Sequence, residues 1–474
     1  MSKYVFGIDL GMEYSRIAYV DDKGVPRIIR NLEGESVTPS VVAFEDNVVI
    51  VGETAKEEAI LRPGETISSV RELMGKTDVA INYRGRNISP EEISSYILKK
   101  LADDASEQMG ERVKDIVVTC PINFGETEKI ATKRACELAG LNVLEIIGDS
   151  VAAVLYYGCT RDNNEKTVLI YNLGGGTFDV TIVKISYDKI KLVYSDEDRD
   201  LGGRNWDEKL MSYIANEIIE KIGNTEFDEY ILQDLKYKVE YMKKKLSVKV
   251  QASAVFNILG EKIVVKVTRE EFENITSDLL HKTLNKTDKA IEIAKSKGYN
   301  QIDEILLIGG STRMPQVKKA LSEKYGESKI KMFEPDEAVV KGAAIHAVNV
   351  YLNNQKTVKD GIFDEMGLNP ENYKEDLKVD KSVMDIDDGV QKKIIADTQE
   401  NFDVKVINED KEKEVADMPT EKVKYTEDFL NKKKIELQRE KERFIKKQKE
   451  LKKLKDEIKR FKEELLEDIN SYLD

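Results

Sequence analysis

A repeated glycine-containing hairpin is the feature that most restricts what this chain can fold into. The segment FGIDLGMEYSRIAYV begins at Phe6 and LIYNLGGGTFDVTIV begins at Leu169, and both have the pattern strand, glycine turn, strand. Laid together, they match Asp9 with Asn172, Leu10 with Leu173 and Gly11 with Gly174. Glycine at such a tip lets the backbone approach a ligand closely and present N–H groups to phosphate oxygens. Two facing hairpins therefore predict a site that holds a polyphosphate from both sides.

A third glycine turn follows an apolar run in the second half of the chain. The segment EILLIGGSTRMP from Glu304 predicts a buried strand that runs into Gly309 and Gly310, with a helix beginning near residues 312–315. A helix N-terminus favours negative charge and accepts a nucleotide packed against it. Taken singly, each turn is explained as well by a plain β-hairpin. The three together, in this order, indicate a nucleotide site.

Hydrophobic patterning divides the chain into three segments. Up to about residue 350, short β-rich runs such as 3–10, 113–120, 167–173 and 304–308 alternate with helical patterns such as 127–139. This alternation is typical of an α/β domain. We therefore predict an α/β domain over 1–352, a linker or small degenerate domain over 353–419, and a charged helical arm over 420–474.

The arm at 420–474 has no Gly or Pro and many charged residues, so a helix of about 80 Å is feasible at 1.5 Å per residue. Apolar residues recur every seven positions from Leu430 to Tyr472, but the companion seam position is apolar only at Leu454 and Phe461. Two interpretations stay open: a long solvated helix or helical hairpin, and a coiled coil that gives self-association.

Composition excludes some classes of partner. Lys and Arg number 75 against 89 Asp and Glu, a net charge of −14, which argues against a general affinity for nucleic acid or anionic membrane. The three cysteines lack the spacing of zinc or redox motifs and suit a reducing compartment. The N-terminus lacks the pattern of a signal peptide, and no long uncharged apolar run occurs. We expect a cytoplasmic protein.

The glycine segments belong to a larger set of motifs. GIDLG, LGGGTFDVTI, LGGRNWDEKL, IGGSTRMP and EPDEAVVKGAA occur in the order in which they occur in DnaK-type 70-kDa heat-shock chaperones, and VVTCPINFGETEKIATKRACELAG is also similar to that family. The resemblance extends to about residue 350. It implies an actin-like, two-lobed ATPase domain with duplicated ribonuclease-H-like sheets, and Mg-ATP or Mg-ADP at the floor of the cleft between the lobes.

The resemblance also implies roles for individual residues. The first phosphate loop would be Gly11, Met12, Glu13 and Tyr14, and the second Gly174, Gly175, Gly176 and Thr177, with Gly202 and Gly203 in the connecting motif. The nucleoside would contact Glu240, Lys243, Lys244, Ser247, Gly309, Gly310, Ser311, Arg313 and Asp336. Asp9 and Asp179 would hold Mg²⁺ through its waters, because this ion dehydrates reluctantly. Taken alone, the lysine-rich run at 240–247 is better explained by a solvated helix face, and a turn cap is the less favoured alternative for either aspartate.

The residues that would act in hydrolysis are Arg71, Asp149 and Asp179, and this group departs from the family pattern. Arg71 stands where the family has a lysine, Asp149 where it has a glutamate, and Asn172 where it has an aspartate. Met12 and Glu13 replace two threonines, and Asn123 and Lys129 replace the tyrosine and arginine that accompany the retained Pro121. Hydrolysis depends on positioned charge at the γ-phosphate. We therefore expect ATP to bind and its turnover to be slow or absent.

The most favoured function is an ATP-binding, DnaK-like chaperone that acts on unfolded or specific client proteins. The peptide-binding β-sandwich and the Leu-rich acidic linker of the family are not recognisable after residue 352. A J-domain co-chaperone and a nucleotide-exchange factor are therefore weaker expectations as partners. The alternatives are a nucleotide-dependent scaffold that acts through 420–474, a small-molecule kinase of the same superfold, and an actin-like filament.

Overall fold

The computed structural model describes residues 4–45, 48–76, 79–159, 165–186, 190–223, 227–258 and 260–356. The predicted arm at 420–474, and the predicted segment 353–419 beyond residue 356, lie outside these ranges. The last described helix passes the predicted boundary at residue 352 and extends to Lys356.

The first half of the described chain forms one lobe. Its elements are β1 Phe6–Asp9, β2 Tyr14–Val20, β3 Pro26–Ile28, β4 Thr38–Pro39, β5 Val41–Glu45, β6 Val48–Val51, α1 Glu53–Glu58, β7 Thr66–Ser68, β8 Ile81–Tyr83, β9 Arg86–Ile88, α2 Pro90–Met109, β10 Asp115–Cys120, α3 Glu126–Leu138, β11 Asn142–Gly148 and α4 Asp149–Cys159. Short 3-10 turns cover Pro63–Glu65 and Val70–Leu73.

The second lobe follows. Its elements are β12 Lys166–Leu173, β13 Phe178–Ile185, β14 Ile190–Asp198, α5 Gly203–Ile222, α6 Glu229–Val248, β15 Gln251–Ile258, β16 Glu261–Thr268, α7 Arg269–Ile275, α8 Ser277–Ser296, β17 Glu304–Ile308, α9 Pro315–Tyr325 and β18 Ile330–Met332. The 3-10 turns here are Gly310–Arg313 and Glu327–Lys329, and α10, Ala338–Lys356, completes the described chain.

The two central sheets have the same topology. The first has the strand order β11-β10-β1-β2-β3, with β4 beside β2, and the second has the order β14-β13-β12-β17-β18. Strand β1 pairs antiparallel with β2 and parallel with β10. In the same way, β12 pairs antiparallel with β13 and parallel with β17. This duplication confirms the predicted α/β class with two ribonuclease-H-like sheets, and it explains why the two hairpin segments look alike in sequence.

Helices α4 and α10 pack between the two sheets, and their contact depends on glycine. Both helices are lined by small buried residues, among them Ala152 and Ala344. A β-carbon at Gly342 would lie 1.7 Å from the carbonyl oxygen of Ala152, and one at Gly7 would lie 2.2 Å from the amide nitrogen of Ala344. The backbones therefore meet without any side chain between them.

The glycine at this crossing gives a stability prediction. We expect Gly342→Ala to lower the free energy of unfolding by about 3 kcal/mol or more, because a methyl group against backbone is overpacking that no rotamer change relieves. Gly158→Ala in the partner helix is the matched control, since a β-carbon there has no neighbour within 4 Å and alanine favours helix. Urea unfolding of both variants measures the difference. Equal midpoints would contradict the close packing.

Helix α6 carries the lysine-rich run onto the surface between the lobes. It begins at Asp228, whose side chain accepts a hydrogen bond from the Ile231 N–H, and its buried face is formed by Leu235, Val239, Met242 and Leu246. The opposite face is polar, as expected for an amphipathic helix. No helix within the described ranges is long and apolar enough to cross a membrane. Cys120 and Cys136 are buried free thiols, and burial raises the pKa of each to about 12.

Candidate functional site

The three glycine turns and the polar face of α6 surround one cleft of about 910 Å³. Most of the residues singled out from the sequence line it: Asp9, Gly11, Met12, Glu13, Tyr14, Arg71, Asp149, Gly174, Gly175, Gly176, Thr177, Glu240, Lys243, Lys244, Ser247, Gly309, Gly310, Ser311, Arg313 and Asp336. Asp179, Gly202 and Gly203 do not line it. Side chains from both lobes thus converge on one space that is large enough for a nucleotide.

The second glycine turn is supported from behind by the start of α5. The Gly203 N–H donates to the Gly174 carbonyl at 3.0 Å, and the Arg204 N–H donates to the Gly175 carbonyl at 2.7 Å. A β-carbon at Gly202 would lie 2.4 Å from the carbonyl carbon of Gly176. Gly202 and Gly203 therefore shape the turn rather than line the cleft.

The residues of the first loop that replace threonines lie against the second loop. A β-carbon at Gly175 would lie 2.4 Å from Cγ of Glu13, and one at Gly176 would lie 2.9 Å from Cγ of Met12. The Ser69 hydroxyl donates to Oε1 of Glu13 at 3.3 Å. The carboxylate of Glu13 thus stays within the cleft, between the two loops.

Arg71 and Asp149 form an ion pair in the floor of the cleft. Nη2 of Arg71 donates to both carboxylate oxygens of Asp149, at 3.1 and 2.9 Å, and Arg71 is only 9% exposed. Burial would lower the pKa of Arg71, but the neighbouring carboxylates of Asp149 and Asp9 outweigh it and raise the pKa. The Arg71 guanidinium, which the sequence predicts near the γ-phosphate, is therefore paired with a carboxylate of its own lobe.

Asp179 is buried beside the cleft and its two oxygens already have donors. Oδ1 accepts from the hydroxyls of Ser150 and Thr181, and Oδ2 accepts from Nδ2 of Asn172 at 2.7 Å. An aspartate at position 172 would present a second carboxylate here instead of a donor. The amide of Asn172 therefore stabilises the charge of Asp179 without a cation.

The buried carboxylates predict a particular dependence of stability on pH. Burial raises the pKa of Asp9 to about 6 and that of Asp179 to about 7, both from 3.8. Because the folded state holds these protons more tightly than the unfolded chain, the associated stability is complete below pH 3.8 and is lost as the pH rises through 7.

We expect the free energy of unfolding of Asp179→Asn, relative to that of the wild type, to increase by on the order of 2 kcal/mol from pH 5 to pH 8. Asparagine carries no charge at either pH, whereas the wild-type aspartate loses its proton in this range. Asn172 can reverse its amide to suit the new partner. Urea unfolding at both pH values, with a chelator present, measures this. An advantage that does not change with pH would contradict the assignment of a charge penalty to Asp179.

A polar network joins the lobes at the mouth of the cleft. Glu240 on α6 accepts from the Tyr14 hydroxyl at 2.6 Å and pairs with Lys56 at 2.5 Å and Lys244 at 2.6 Å. Burial alone would raise the pKa of Glu240, but Lys56 and Lys244 hold it well below its ordinary value. Lys56, which sequence reasoning missed, sits in the helical run AKEEA with no local signal of a site.

Two further charged residues expected at the nucleoside are held within the second lobe. Lys243 donates to Asp207 at 2.5 Å and to the Gly203 carbonyl at 2.9 Å, and Arg313 pairs with Asp336 through Nε at 2.6 Å. Burial raises the pKa of Asp207 to about 6 even though Lys243 opposes the shift. These contacts fix the positions of Lys243 and Arg313 at the edge of the cleft.

A second contact between the lobes lies beneath Arg71. Arg199, after β14, donates from Nη2 to the Asn123 carbonyl at 2.7 Å and pairs with Glu128 at 3.2 Å. The ring of Phe124 is near two guanidinium groups, with its centroid 6.0 Å from that of Arg71 and 5.6 Å from that of Arg199. The segment after Pro121 therefore connects the floor of the cleft to the second lobe.

The chemistry of this cleft suits Mg²⁺ together with a polyphosphate. Asp9 and Asp179 have raised pKa values because negative charge is buried there, and a cation would lower both. In the described part of the chain, no group of three or more His, Cys, Asp or Glu residues could hold a metal by itself. Mg²⁺ commonly keeps several waters and takes one or two carboxylates plus substrate phosphates. Asp9 lines the cleft and fits that arrangement, whereas Asp179 is buried beside the cleft.

Two sheets of one topology around a cleft lined by three glycine turns define an actin-like, two-lobed domain. The family model described as Hsp70 protein matches residues 5–413, and the chain therefore belongs to the DnaK-type 70-kDa heat-shock protein family, as its motifs predict.

The chain is 39% identical over 354 residues to the chaperone protein DnaK of Thermotoga petrophila, and 39% and 38% identical over 353 residues to those of Thermosipho africanus and Thermosipho melanesiensis. Each match covers 73% of this chain and 59% of the relative. The chain thus spans about three-fifths of the length of the curated relatives it matches.

Proposed function

We propose that this chain is an ATP-binding, DnaK-like chaperone that binds Mg-ATP and Mg-ADP and hydrolyses ATP slowly or not at all. The observation that carries the binding proposal is the convergence of three glycine turns and the polar face of α6 on one cleft. Backbone N–H groups at the glycine tips suit phosphate oxygens. Glu240 and Lys243 face the same space and suit ribose hydroxyls.

Slow hydrolysis follows from how the charged groups in the cleft floor are occupied. When bound, Mg²⁺ neutralises charge on the phosphates. Arg71 is held by both oxygens of Asp149, so neither residue is free to stabilise charge at the γ-phosphate or to orient a water. Asn172 supplies a neutral amide to Asp179. Binding by the glycine turns does not need these groups, whereas turnover does.

Calorimetric titration of the full chain with ATP and with ADP, in excess Mg²⁺, tests the binding proposal. We expect both nucleotides to bind with one site per chain. A guanine nucleotide of the same charge is the control for non-specific phosphate binding. Heat of binding that is equal for ATP and the guanine nucleotide would contradict an adenine-specific cleft, and no heat with either would overturn the proposed function.

Chaperone activity is proposed from the family and from the DnaK chaperones that the chain is similar to. Client proteins, and a J-domain co-chaperone with a nucleotide-exchange factor, are the partners that this function would use, and a cytoplasmic location suits it. Light scattering during the thermal aggregation of a model client tests this function, with and without ATP. Suppression that depends on ATP supports a chaperone, and unchanged scattering favours a scaffold that acts through 420–474.

A further inference from the structure

The lysines and arginines that line the cleft differ in how firmly they are paired. Six of them have a carboxylate partner in close contact: Lys56 and Lys244 with Glu240, Arg71 with Asp149, Lys243 with Asp207, Arg204 with Glu72 and Arg313 with Asp336. Arg16 is the exception among the half-buried ones. Its shortest ion pair is 4.0 Å, from Nη2 to Oδ1 of Asp336, and its guanidinium donates no hydrogen bond to any residue of the described ranges.

The position of Arg16 places this weakly paired group between the two ends of the cleft. Arg16 on β2 lies directly opposite Asp9 on β1 in the antiparallel register, so the two side chains share one face of the sheet, and both line the cleft. Asp336 belongs to the second lobe and lies beside Gly310 in the third glycine turn. The guanidinium therefore lies between the carboxylate expected near the metal and the carboxylate expected near the nucleoside.

Partial burial makes the missing hydrogen bond of Arg16 significant. The side chain of Arg16 is only 14% exposed, so its charge has lost much of its contact with water without gaining a hydrogen-bonded carboxylate in return. Such a charge is unfavourable unless an anion completes its environment. The planar guanidinium presents five N–H donors in a fork that matches phosphate oxygens. An anionic ligand of the cleft is thus the partner that its chemistry selects.

We propose that Arg16 is a phosphate-binding residue of this cleft, and that it donates from the first lobe to the phosphate groups that ATP and ADP share. The inference rests on the proposed nucleotide-binding function and adds to it a residue outside the glycine turns. Arg16 supplies positive charge on the first-lobe side, where Arg71 is committed to Asp149. It acts on both nucleotides alike, because it lies toward the nucleoside from Asp9 and not at the γ-phosphate end.

Calorimetry of the full chain with Mg-ATP, Mg-ADP and adenosine separates this role from a structural one. We expect Arg16→Ala to weaken the binding of ATP and ADP by about tenfold or more, and to leave the affinity for adenosine unchanged. This is the loss expected when a hydrogen bond to a charged group is removed. Arg16→Lys keeps the charge but not the forked donor geometry. It should bind ATP and ADP with affinities between those of the wild type and Arg16→Ala. Lys99→Ala, which removes an exposed cation of the same lobe, is the matched control and should bind all three like the wild type.

The outcomes that would overturn the proposal are distinct. If Arg16→Ala weakens the binding of adenosine as much as that of ATP, Arg16 only orders Asp336 and the nucleoside pocket. If it changes none of the three affinities, the guanidinium serves the 4.0 Å ion pair alone. If the wild type binds adenosine but neither ATP nor ADP, no phosphate site exists. If it binds none of the three, the proposed function fails first and this inference fails with it. Thermal unfolding of each variant confirms that the fold is retained.

Discussion

A double variant, Arg71→Lys with Asn172→Asp, should hydrolyse ATP roughly a hundredfold faster than the wild type, at the lower end of the effect of about 10²–10³ that is typical of one well-placed electrostatic group. Lysine has a single compact ammonium group and cannot hold both oxygens of Asp149 as the Arg71 guanidinium does. Its charge becomes available to the γ-phosphate. Aspartate at 172 replaces the amide donor to Asp179 with a carboxylate, so the pair then needs a cation.

Single-turnover hydrolysis, with protein in excess over labelled ATP, measures this increase directly. The two single variants show whether the gain needs both changes, and we expect each alone to give less than the pair, because the groups act in one cluster. Lys99→Ala again serves as the control for a change of charge elsewhere. A double variant that binds ATP like the wild type but turns it over no faster would contradict the account of the cleft floor.

Gly202→Ala should weaken ATP binding by about a hundredfold, because a displaced phosphate loop loses hydrogen bonds to charged phosphate that contribute about 1.5–3 kcal/mol each. A β-carbon at this position would lie 2.4 Å from the carbonyl carbon and 2.6 Å from the nitrogen of Gly176. The obstacle is backbone, so the second glycine turn itself must shift. Gly202 has an extended backbone, with φ of −160°, so the effect is steric and not a strain of φ.

Calorimetry with ATP compares Gly202→Ala with Gly158→Ala, an alanine substitution at a site with open space around it. The control should bind as the wild type does. Because Gly202 also precedes α5, urea unfolding is measured beside binding. Loss of affinity with the unfolding midpoint retained supports a loop that Gly202 shapes. Unchanged affinity would mean that the second turn does not hold the nucleotide.

The framework of the site was predictable because local sequence determines it. A glycine tip between two apolar, strand-like runs predicts a hairpin, and a repeated hairpin of this kind indicates a repeated sheet. The helical spacing of Glu240, Lys243, Lys244 and Ser247 likewise places all four on the side of α6 that faces the cleft. Gly309 has a φ of +82°, and a β-carbon there would lie 2.3 Å from the Leu173 carbonyl oxygen, which explains the glycine of the third turn.

The partners of the charged residues were not predictable, because they are brought together from distant parts of the chain. Lys56 meets Glu240, and Arg204 meets Glu72, across the two lobes. No periodicity relates such positions. The sequence predicts that Arg71 replaces the family's lysine near the γ-phosphate. It does not reveal that the Arg71 guanidinium is hydrogen-bonded to Asp149.

Asp179 shows the same limit, because its hydrogen-bond donors come from both lobes. The sequence predicts that it holds a metal, whereas its oxygens accept from Ser150, Thr181 and Asn172, and its side chain does not line the cleft. Only the packing of α4 against β12 and β13 brings these donors to it. Its role toward Mg²⁺ therefore stays a prediction, and the pH dependence of Asp179→Asn examines its charge directly.

Single-turnover hydrolysis by the wild-type full chain shows whether ATP binding is retained while turnover is slow. The chain is loaded with labelled Mg-ATP at a concentration that calorimetry shows to be saturating, and the bound nucleotide is analysed over time. We expect ATP to remain bound and largely unconverted over a period in which the Arg71→Lys, Asn172→Asp variant converts most of it. Equal and rapid conversion by both proteins would contradict the claim.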